Sequence, residues 1–409
     1  MTLNSTTGLV ELFVILVAIA TAAGLVFRRI GVPYTVLLVV VGLGGVVVAP
    51  GLHVQLPPEV ILTVFLPVLV FESGYRLDLD ELRRSSGAIA FLAVPGVLIT
   101  AALVAGVLSL AAGLPHELGF LVGAIVAATD PAAVIATIKR LRAPDRLSTL
   151  IEAESVFNDG TAIVVFTVAL TALAGGQTLT GAAIALVVTV VVSAAIGIVA
   201  GIVAGRVVNL TDDHLVELSI TLVLAYGTYL LADAWHMSGI IATVVAAITF
   251  GVLARRGAMT KRAQEAVETV WEFAAYLLTA VLFVLIGLAI DVGGLGNAIV
   301  PIIWGIVAVV GARALLFYGV VGPANRLFRT PEHRFPAGWL NVMIAAGMRG
   351  AVSVALALSL PPDIPQRALL VEIAFGIILF TLVVQGLALD PIIHRSISVD
   401  GVQRDSPLG

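Results

Sequence analysis

Long apolar stretches separated by short polar breaks run along almost the whole chain of 409 residues. Each is about 17–25 residues long, the length that an α-helix needs to cross the hydrocarbon core of a bilayer. Apolar character is continuous within each stretch, whereas the strands of a membrane barrel alternate with a period of two. The pattern predicts an all-α polytopic membrane protein with about thirteen transmembrane helices, which begin near residues 8, 32, 58, 87, 117, 148, 180, 214, 238, 269, 297, 336 and 366.

Lysine and arginine are distributed unequally between the two sides of these spans. Of the 22 basic residues, nineteen lie in the odd-numbered breaks and the tail, Arg367 lies on the opposite side, and Arg313 and Arg349 lie within spans. Basic loops stay in the cytoplasm, so we predict a cell-membrane protein with its N-terminus outside and its C-terminus in the cytoplasm. Residues 1–391 are expected to form one transmembrane domain and residues 392–409 a short cytoplasmic tail.

Composition narrows the class of function. The chain is 60% hydrophobic and 12% charged with a mean hydropathy of +1.11, which lies outside the range of soluble globular proteins. Its net charge of −4 indicates no nucleic-acid partner, and without cysteine it has neither disulfides nor a thiolate metal site. The sequence lacks a Gly-Lys-Ser/Thr phosphate loop and its six histidines lack metal-ligand spacing. We therefore expect a transporter driven by an ion gradient, without a cofactor, and not an enzyme.

The sixth span contains the densest polar cluster, in the segment IEAESVFNDGTAIVVF at residues 151–166. Ionisable groups in a span cost roughly 2.5–3.5 kcal/mol each to insert, so the cluster predicts a functional site. At about 100° per residue, Ser155 and Asp159 share one helix face, and Glu154 and Asn158 share the adjacent one. Such a face offers binding to a proton or to a small cation.

Two further spans show signs of an interrupted helix. Pro131 in span five removes a backbone donor and disfavours helix at Asp130. In span twelve, Gly347 and Gly350 flank Arg349, whose cation is available to a carboxylate or to the C-terminal dipole of a half-helix. The two spans are seven apart and cross in opposite directions. This predicts two inverted-topology six-helix repeats, spans 1–6 and 8–13, with span 7 as the connector and with crossed discontinuous helices in spans 5 and 12.

Other charges lie nearer the ends of spans. Glu72 is about one turn from a basic break, so it is either a site residue or a carboxylate that reaches the interface. For Arg313, and for the glutamates at positions 217, 272 and 372, we expect snorkelling or structural pairing.

Six motifs extend over almost the whole chain: FLPVLVFESG, ATDPAAV, LIEAESVFNDGTAIVVF, FVLIGLAI, GMRGAVSVALALSLP and VVQGLAL. In this order and spacing they resemble the monovalent cation/proton antiporters, in the branch of the NhaP-type prokaryotic antiporters and the animal sodium/hydrogen exchangers. The resemblance implies a homodimer in the lipid bilayer, with a scaffold domain and a moving six-helix core. It also implies exchange of Na⁺ or Li⁺ for H⁺ in pH homeostasis.

The resemblance also implies roles for the site residues. Asp159 is similar to the carboxylate that binds cation and proton in turn. Asn158 precedes it where electrogenic relatives have a second Asp, which implies electroneutral exchange of one proton per cation. The oxygen shell of the cation would be completed by Thr129, through its unwound carbonyl, and by Ser155 and Glu72.

Three charged residues complete the implied site. Asp130 would neutralise the N-termini of the half-helices and reach the ion through water, while Glu154 and Arg349 would form a structural ion pair across the core. Oxygen ligands alone suit Na⁺, Li⁺ or K⁺ and disfavour softer metals.

Four alternatives remain at this point. A K⁺/H⁺ antiporter needs the same ligand types, and a sodium-coupled symporter needs a roomier polar pocket than the polar residues within the spans suggest. A passive channel needs a continuous polar path, which fits buried acids and two broken helices less well than alternating access does. A sensor that transports nothing leaves Asp159 unexplained.

Overall fold

The computed structural model describes residues 14–15, 17–23, 25–26, 34–48, 58–77, 79–141, 144–173, 175, 179–289, 292–327 and 335–399. Among these residues, every regular element is helical. The first expected span is described in part, and the residues after 399 in the expected tail lie outside the described ranges.

Sixteen helices are labelled here in chain order. They are α1 (Tyr34–Val48), α2 (Leu66–Arg76), α3 (Leu79–Phe91), α4 (Val97–Ala112), α5 (His116–Ala127), α6 (Ala132–Arg140), α7 (Asp145–Leu173), α8 (Leu179–Val208), α9 (His214–Ala234), α10 (Gly239–Leu253), α11 (Lys261–Ala289), α12 (Ile299–Ala314), α13 (Ala337–Ala345), α14 (Ala351–Leu358), α15 (Arg367–Phe380) and α16 (Gly386–Val399). Shorter helices lie at Pro58–Val60, Val292–Asn297 and Gly322–Leu327, and π-helical turns at Ile61–Phe65, Leu92–Gly96, Ala254–Ala258, Leu315–Val321 and Thr381–Gln385.

The helices are those of a membrane protein. Within the described ranges, eight are long and apolar enough to cross a bilayer, and Tyr34–Val46 and His116–Ala127 are shorter apolar helices. Large apolar side chains cover the outer surface, as at Val187, Val199 and Val223, which are 61%, 61% and 71% exposed. Lipid suits such a surface because the exposed side chains are apolar and the helices already satisfy their backbone hydrogen bonds internally.

Two helices are interrupted where the sequence predicts it. Residues 128–131 separate α5 from α6, and residues 346–350 separate α13 from α14. The interruptions lie against each other, since the backbone N–H of Asp130 donates to the carbonyl of Met348 at 2.8 Å. A Cβ at Gly350 would clash with the Asp130 carboxylate, so the approach requires glycine at this position.

A row of glycines fixes the packing of α8 on α10. Gly197, Gly201 and Gly205 lie four residues apart on one face of α8, and a Cβ at each would collide with α10. At Gly201 the added atom would lie 2.7 Å from the carbonyl oxygen of Ala246. Small residues at such spacing let two helix backbones approach closely in a membrane.

We therefore expect Gly201→Ala to destabilise the protein by about 1–3 kcal/mol, because the new methyl group overpacks a backbone contact. Thermal unfolding of the purified protein in detergent measures this change. The matched control is Gly311→Ala on α12, where no heavy atom of the described residues lies within 4 Å of the new Cβ. Its unfolding temperature should stay level or rise, because alanine favours helix over glycine by about 1 kcal/mol. An equal loss in both variants would contradict the packing role of Gly201.

Candidate functional site

Side chains of α7 hold the break between α5 and α6. The backbone N–H of Thr129 donates to Asn158 Oδ1 at 3.1 Å, and Asn158 Nδ2 donates to Thr129 Oγ1 at 2.7 Å. The hydroxyls of Thr129 and Ser155 lie 3.0 Å apart. All three residues are buried. The polar face of α7 thus replaces backbone hydrogen bonds that the interrupted helix lacks.

The Asp130 carboxylate lies at the start of two half-helices. Its Oδ1 accepts a hydrogen bond from the backbone N–H of Ala132 at 2.9 Å, at the first residue of α6. The same carboxylate lies against Gly350, the N-cap residue of α14. One negative charge therefore faces the positive ends of both helix dipoles.

The Arg349 guanidinium lies at the opposite end of a half-helix. Its Nη1 donates to the carbonyls of Ala127 and Ala128 at 2.9 and 3.1 Å, at the C-terminus of α5. The side chain is fully enclosed, with 1% of the residue exposed. Ser353 supplies a further donor to Ala128, at 3.4 Å. The sequence allowed either a carboxylate or the C-terminal dipole of a half-helix as the partner of Arg349. In the structure the partner is the C-terminus of the half-helix α5.

The prediction that Glu154 pairs with Arg349 is therefore wrong in its partner. Arg313 of α12 binds Glu154 through two hydrogen bonds of 2.9 Å each, and its Nε donates to the carbonyl of Met343 near the end of α13. Arg349 is held at the end of α5 instead. Asn158 Nδ2 also reaches Glu154, at 3.2 Å, which links the ion pair to the break at Thr129.

For Arg313 the sequence predicted snorkelling or structural pairing, and the ion pair with Glu154 confirms the pairing. The residue is only 8% exposed, so it does not snorkel. Its sequence context, Gly311-Ala312-Arg313-Ala314, carries a usable signal. Small neighbours leave room for a long side chain to turn inward between packed helices.

A cavity of about 300 Å³ adjoins the crossed breaks. Its lining includes Thr129, Asp130 and Asp159 beside residues from α1, α2, α11 and α14. Asp159 Oδ1 is buried and has no hydrogen-bond partner within the described residues. The volume holds several waters at about 30 Å³ each. The cavity therefore offers a small cation or a proton a carboxylate oxygen that no protein group occupies.

The structure brings the other predicted ligands together only in part. Glu72 lines the same cavity, but its Oε1 lies 2.5 Å from Nη1 of Arg76. Ser155 contacts Thr129 and is absent from the described cavity lining. The described residues contain no group of three or more His, Cys, Asp or Glu side chains placed to hold a metal ion. The cavity also has wall residues to which the sequence assigned no part in ion binding: Tyr34, Arg76, Glu152, Glu272 and Tyr276.

Residues 14–395 match the sequence model of a family described as sodium/hydrogen exchanger, transmembrane. The chain belongs to the sodium/hydrogen exchanger family. Among curated relatives of this exchanger, the Na⁺/H⁺ antiporter ApNhaP of Aphanothece halophytica is 37% identical over 373 residues, which cover 90% of this chain and 70% of the relative. The Na⁺/H⁺ antiporter NhaP of Pseudomonas aeruginosa is 36% identical over 351 residues, 82% of this chain and 81% of the relative.

A solved structure matches the exchanger along its whole length. The sodium proton antiporter MjNhaP1 from Methanocaldococcus jannaschii at pH 8 has a TM-score of 0.75, with 96% of this chain and 99% of that chain covered. The identity is 20%, so this likeness concerns the fold.

The pairing of Glu154 can be tested by combining substitutions. Arg313→Met should lower the unfolding free energy by about 3–5 kcal/mol, because it leaves Glu154 buried without its cation. Adding Glu154→Gln should recover part of that loss. In Arg349→Met the same addition should recover nothing, because the partners of Arg349 are backbone carbonyls. Thermal unfolding of the four variants in detergent measures both outcomes. The pairing of Glu154 with Arg313 would be refuted if Glu154→Gln stabilised Arg349→Met but not Arg313→Met.

Proposed function

We propose that this exchanger moves Na⁺ or Li⁺ across the cell membrane in return for H⁺, and that cation and proton compete for Asp159. One observation carries the proposal: a buried Asp159 oxygen without a protein partner lies at a cavity beside two crossed, interrupted helices. The curated relatives are named as Na⁺/H⁺ antiporters, which supports the same ion pair for this chain.

The charges around the cavity explain why the ions compete. Asp130 accepts a hydrogen bond at the N-terminus of α6 and lies against that of α14. Oδ1 of Asp159 has no such hydrogen bond within the described residues, so we expect a bound ion to neutralise the negative charge of this carboxylate. Oxygens of Asp159, Asp130 and Thr129 are hard ligands that suit an alkali cation. Because one carboxylate cannot hold a cation and a proton together, loading one ion releases the other.

Alternating access requires two bodies that move past each other, and the polar contacts suggest which helices form them. In the first set, Asn158 binds Thr129, Arg349 binds Ala127, and Arg313 joins Glu154 to the end of α13. Further ion pairs add α3 through Glu81–Arg146 and α16 through Arg140–Asp390. We assign the moving six-helix core to α3–α4, α5–α6, α7, α12, α13–α14 and α15–α16.

The second set of contacts joins helices outside this core. Arg255 donates to the carbonyls of Tyr75 and Leu77, Trp271 donates to Thr221, and the backbone of Ser238 donates to Ser193. Thr243 of α10 also donates to the carbonyl of Ala225 on α9. Together these contacts tie α8, α9, α10 and α11 to one another and to α2, and we assign them to the scaffold. The cavity has walls from both sets, as expected for a site between a core and a scaffold.

The proposal also covers the number and arrangement of the spans, the orientation of the chain and its assembly. It comprises thirteen spans in two inverted repeats, 1–6 and 8–13, with span 7 as the connector. Residues 1–391 form the transmembrane domain and residues 392–409 a cytoplasmic tail, the N-terminus is outside, and two chains form a homodimer. With this orientation, the end of α2 that carries Arg76 lies on the cytoplasmic side. The cavity then opens to the cytoplasm.

Asp159→Asn should abolish exchange, because an amide neither binds a proton in exchange for a cation nor neutralises one. The measurement is dissipation of a pH gradient in proteoliposomes with an acidic lumen, to which Na⁺, Li⁺ or K⁺ is added in turn. Lumen alkalinisation is expected with the parent protein and with the control Asp233→Asn, whose carboxylate is exposed at the end of α9. The order of the responses assigns the cation. Equal rates in the parent and Asp159→Asn would reject Asp159 as the shared carboxylate.

Exchange should be electroneutral, because the amide of Asn158 is occupied by Thr129 and Glu154 and adds no second titrating carboxylate. The rate of Na⁺-driven alkalinisation should therefore stay the same when a membrane potential is imposed with K⁺ and valinomycin. As an internal check, a protonophore must still collapse the gradient in the same vesicles. A rate that follows the imposed potential would show that net charge moves in each cycle.

A further inference from the structure

Arg76 lies between two cavities. It lines the cavity that contains Asp159, and it also lines a second one of about 490 Å³. The other walls of the second cavity are Leu79, Asp80, Val252, Arg255, Arg256 and Glu268. Among the described lining residues, Arg76 is the one that the two cavities share. A cation that passes from the second cavity to Asp159 therefore passes this side chain.

The guanidinium of Arg76 is bound on both sides. Its Nη1 lies 2.5 Å from Oε1 of Glu72, and its Nη2 lies 3.3 Å from Oε2 of Glu272 on α11. The Arg76 side chain is 30% exposed and that of Glu72 14%, so the first contact is largely shielded from water. Exposed Glu272 contributes a weaker, screened attraction.

This contact competes with the proposed role of Glu72. A cation that uses Glu72 Oε1 as a ligand comes close to the guanidinium that already binds this oxygen. Both competitors carry one positive charge and both bind the oxygen by direct contact. Because two positive charges at this distance repel each other, binding of Arg76 to Glu72 opposes binding of the transported cation to Glu72.

We infer that Arg76 is a tethered cation that occupies Glu72 until the transported cation displaces it, and so sets the concentration at which transport is half-maximal. The inference rests on the proposed cation exchange and names a specificity-determining residue for it. The guanidinium cannot travel with the ion, because it belongs to the C-terminal residue of α2. It acts as a built-in competitor at the mouth of the cavity.

The second cavity provides a matched control. Arg256 lies in its wall and is exposed, and removing it deletes the same positive charge from the same region. A general electrostatic effect on arriving cations would follow from either arginine. Of these two arginines, Arg76 is the one that forms an ion pair with Glu72. Competition with a cation for Glu72 is therefore expected from Arg76 and not from Arg256.

The experiment measures the half-saturating Na⁺ concentration for exchange in proteoliposomes. Arg76→Gln should lower it about fivefold, the effect of losing one partly exposed competing ion pair. Arg256→Gln should change it by less than about twofold, because distant exposed charges are screened. In the Glu72→Gln background, adding Arg76→Gln should have no further effect. Arg76→Met, which keeps the alkyl stem, serves if Arg76→Gln is unstable.

A second readout does not need transport. Bound Na⁺ raises the unfolding temperature in detergent, and the Na⁺ concentration at half of that rise should fall about fivefold in Arg76→Gln. An unchanged or higher half-saturating concentration would overturn the inference, as would an equal fall in Arg256→Gln or persistence of the effect without Glu72. Failure of the proposed function looks different: the parent protein itself would give no cation-driven alkalinisation.

Discussion

The structure depends on how two interrupted helices satisfy their ends inside a low-dielectric environment. A helix broken within a bilayer leaves backbone groups without partners, and each such group costs several kcal/mol if nothing replaces water. Here each break supplies a charged side chain to a helix end at the other break. Asp130 from the first break lies at the N-termini of α6 and α14, and Arg349 from the second lies at the C-terminus of α5. Neither interrupted helix has this compensation without the other, so the crossing is a condition of stability as well as a feature of the site.

The same compensation decides which charges remain available for transport. Arg349 is used by carbonyls of α5, Arg313 is used by Glu154 and by the end of α13, and Asp130 is used by two helix N-termini. These groups are fixed because moving any of them would leave a buried charge or a helix end unpaired. Among the carboxylates at the crossed breaks, Asp159 differs in having a buried Oδ1 without a hydrogen-bond partner in the described residues. This oxygen at the cavity is the reason why we propose Asp159 as the ion-binding group of the cluster.

The positions of the two breaks and of the polar cluster on α7 could be predicted from the sequence, because they depend on residues close together in the chain. Proline after Asp130 and glycines around Arg349 locate both breaks, and helical periodicity places Asn158 beside Glu154 and Ser155 one turn before Asp159. The choice of partners was not local. Glu154 had two candidate arginines within spans, at positions 313 and 349, and sequence separation does not say which guanidinium is already committed elsewhere. The same limit applies to Glu72, whose nearest cation is four residues away on its own helix. Periodicity allows that pair, but only the structure shows that Glu72 and Arg76 line the same cavity as Asp159.

The distribution of polar contacts also bears on how such a molecule can move. Hydrogen bonds within the proposed core join α5 to α7, α5 to α14 and α7 to α12. Within the proposed scaffold they join α2 to the π-helical turn after α10, and α9 to α11. A displacement of one set against the other preserves all of these contacts, so the compensated helix ends stay compensated throughout. The cavity lies where the sets meet, and its wall there contains apolar residues such as Leu69, Val70 and Leu282 beside the charges. Apolar contact between helices lacks direction and tolerates sliding better than a hydrogen bond does. We propose that the concentration of hydrogen bonds within each set lets the buried carboxylate change sides without unpairing the groups that hold it.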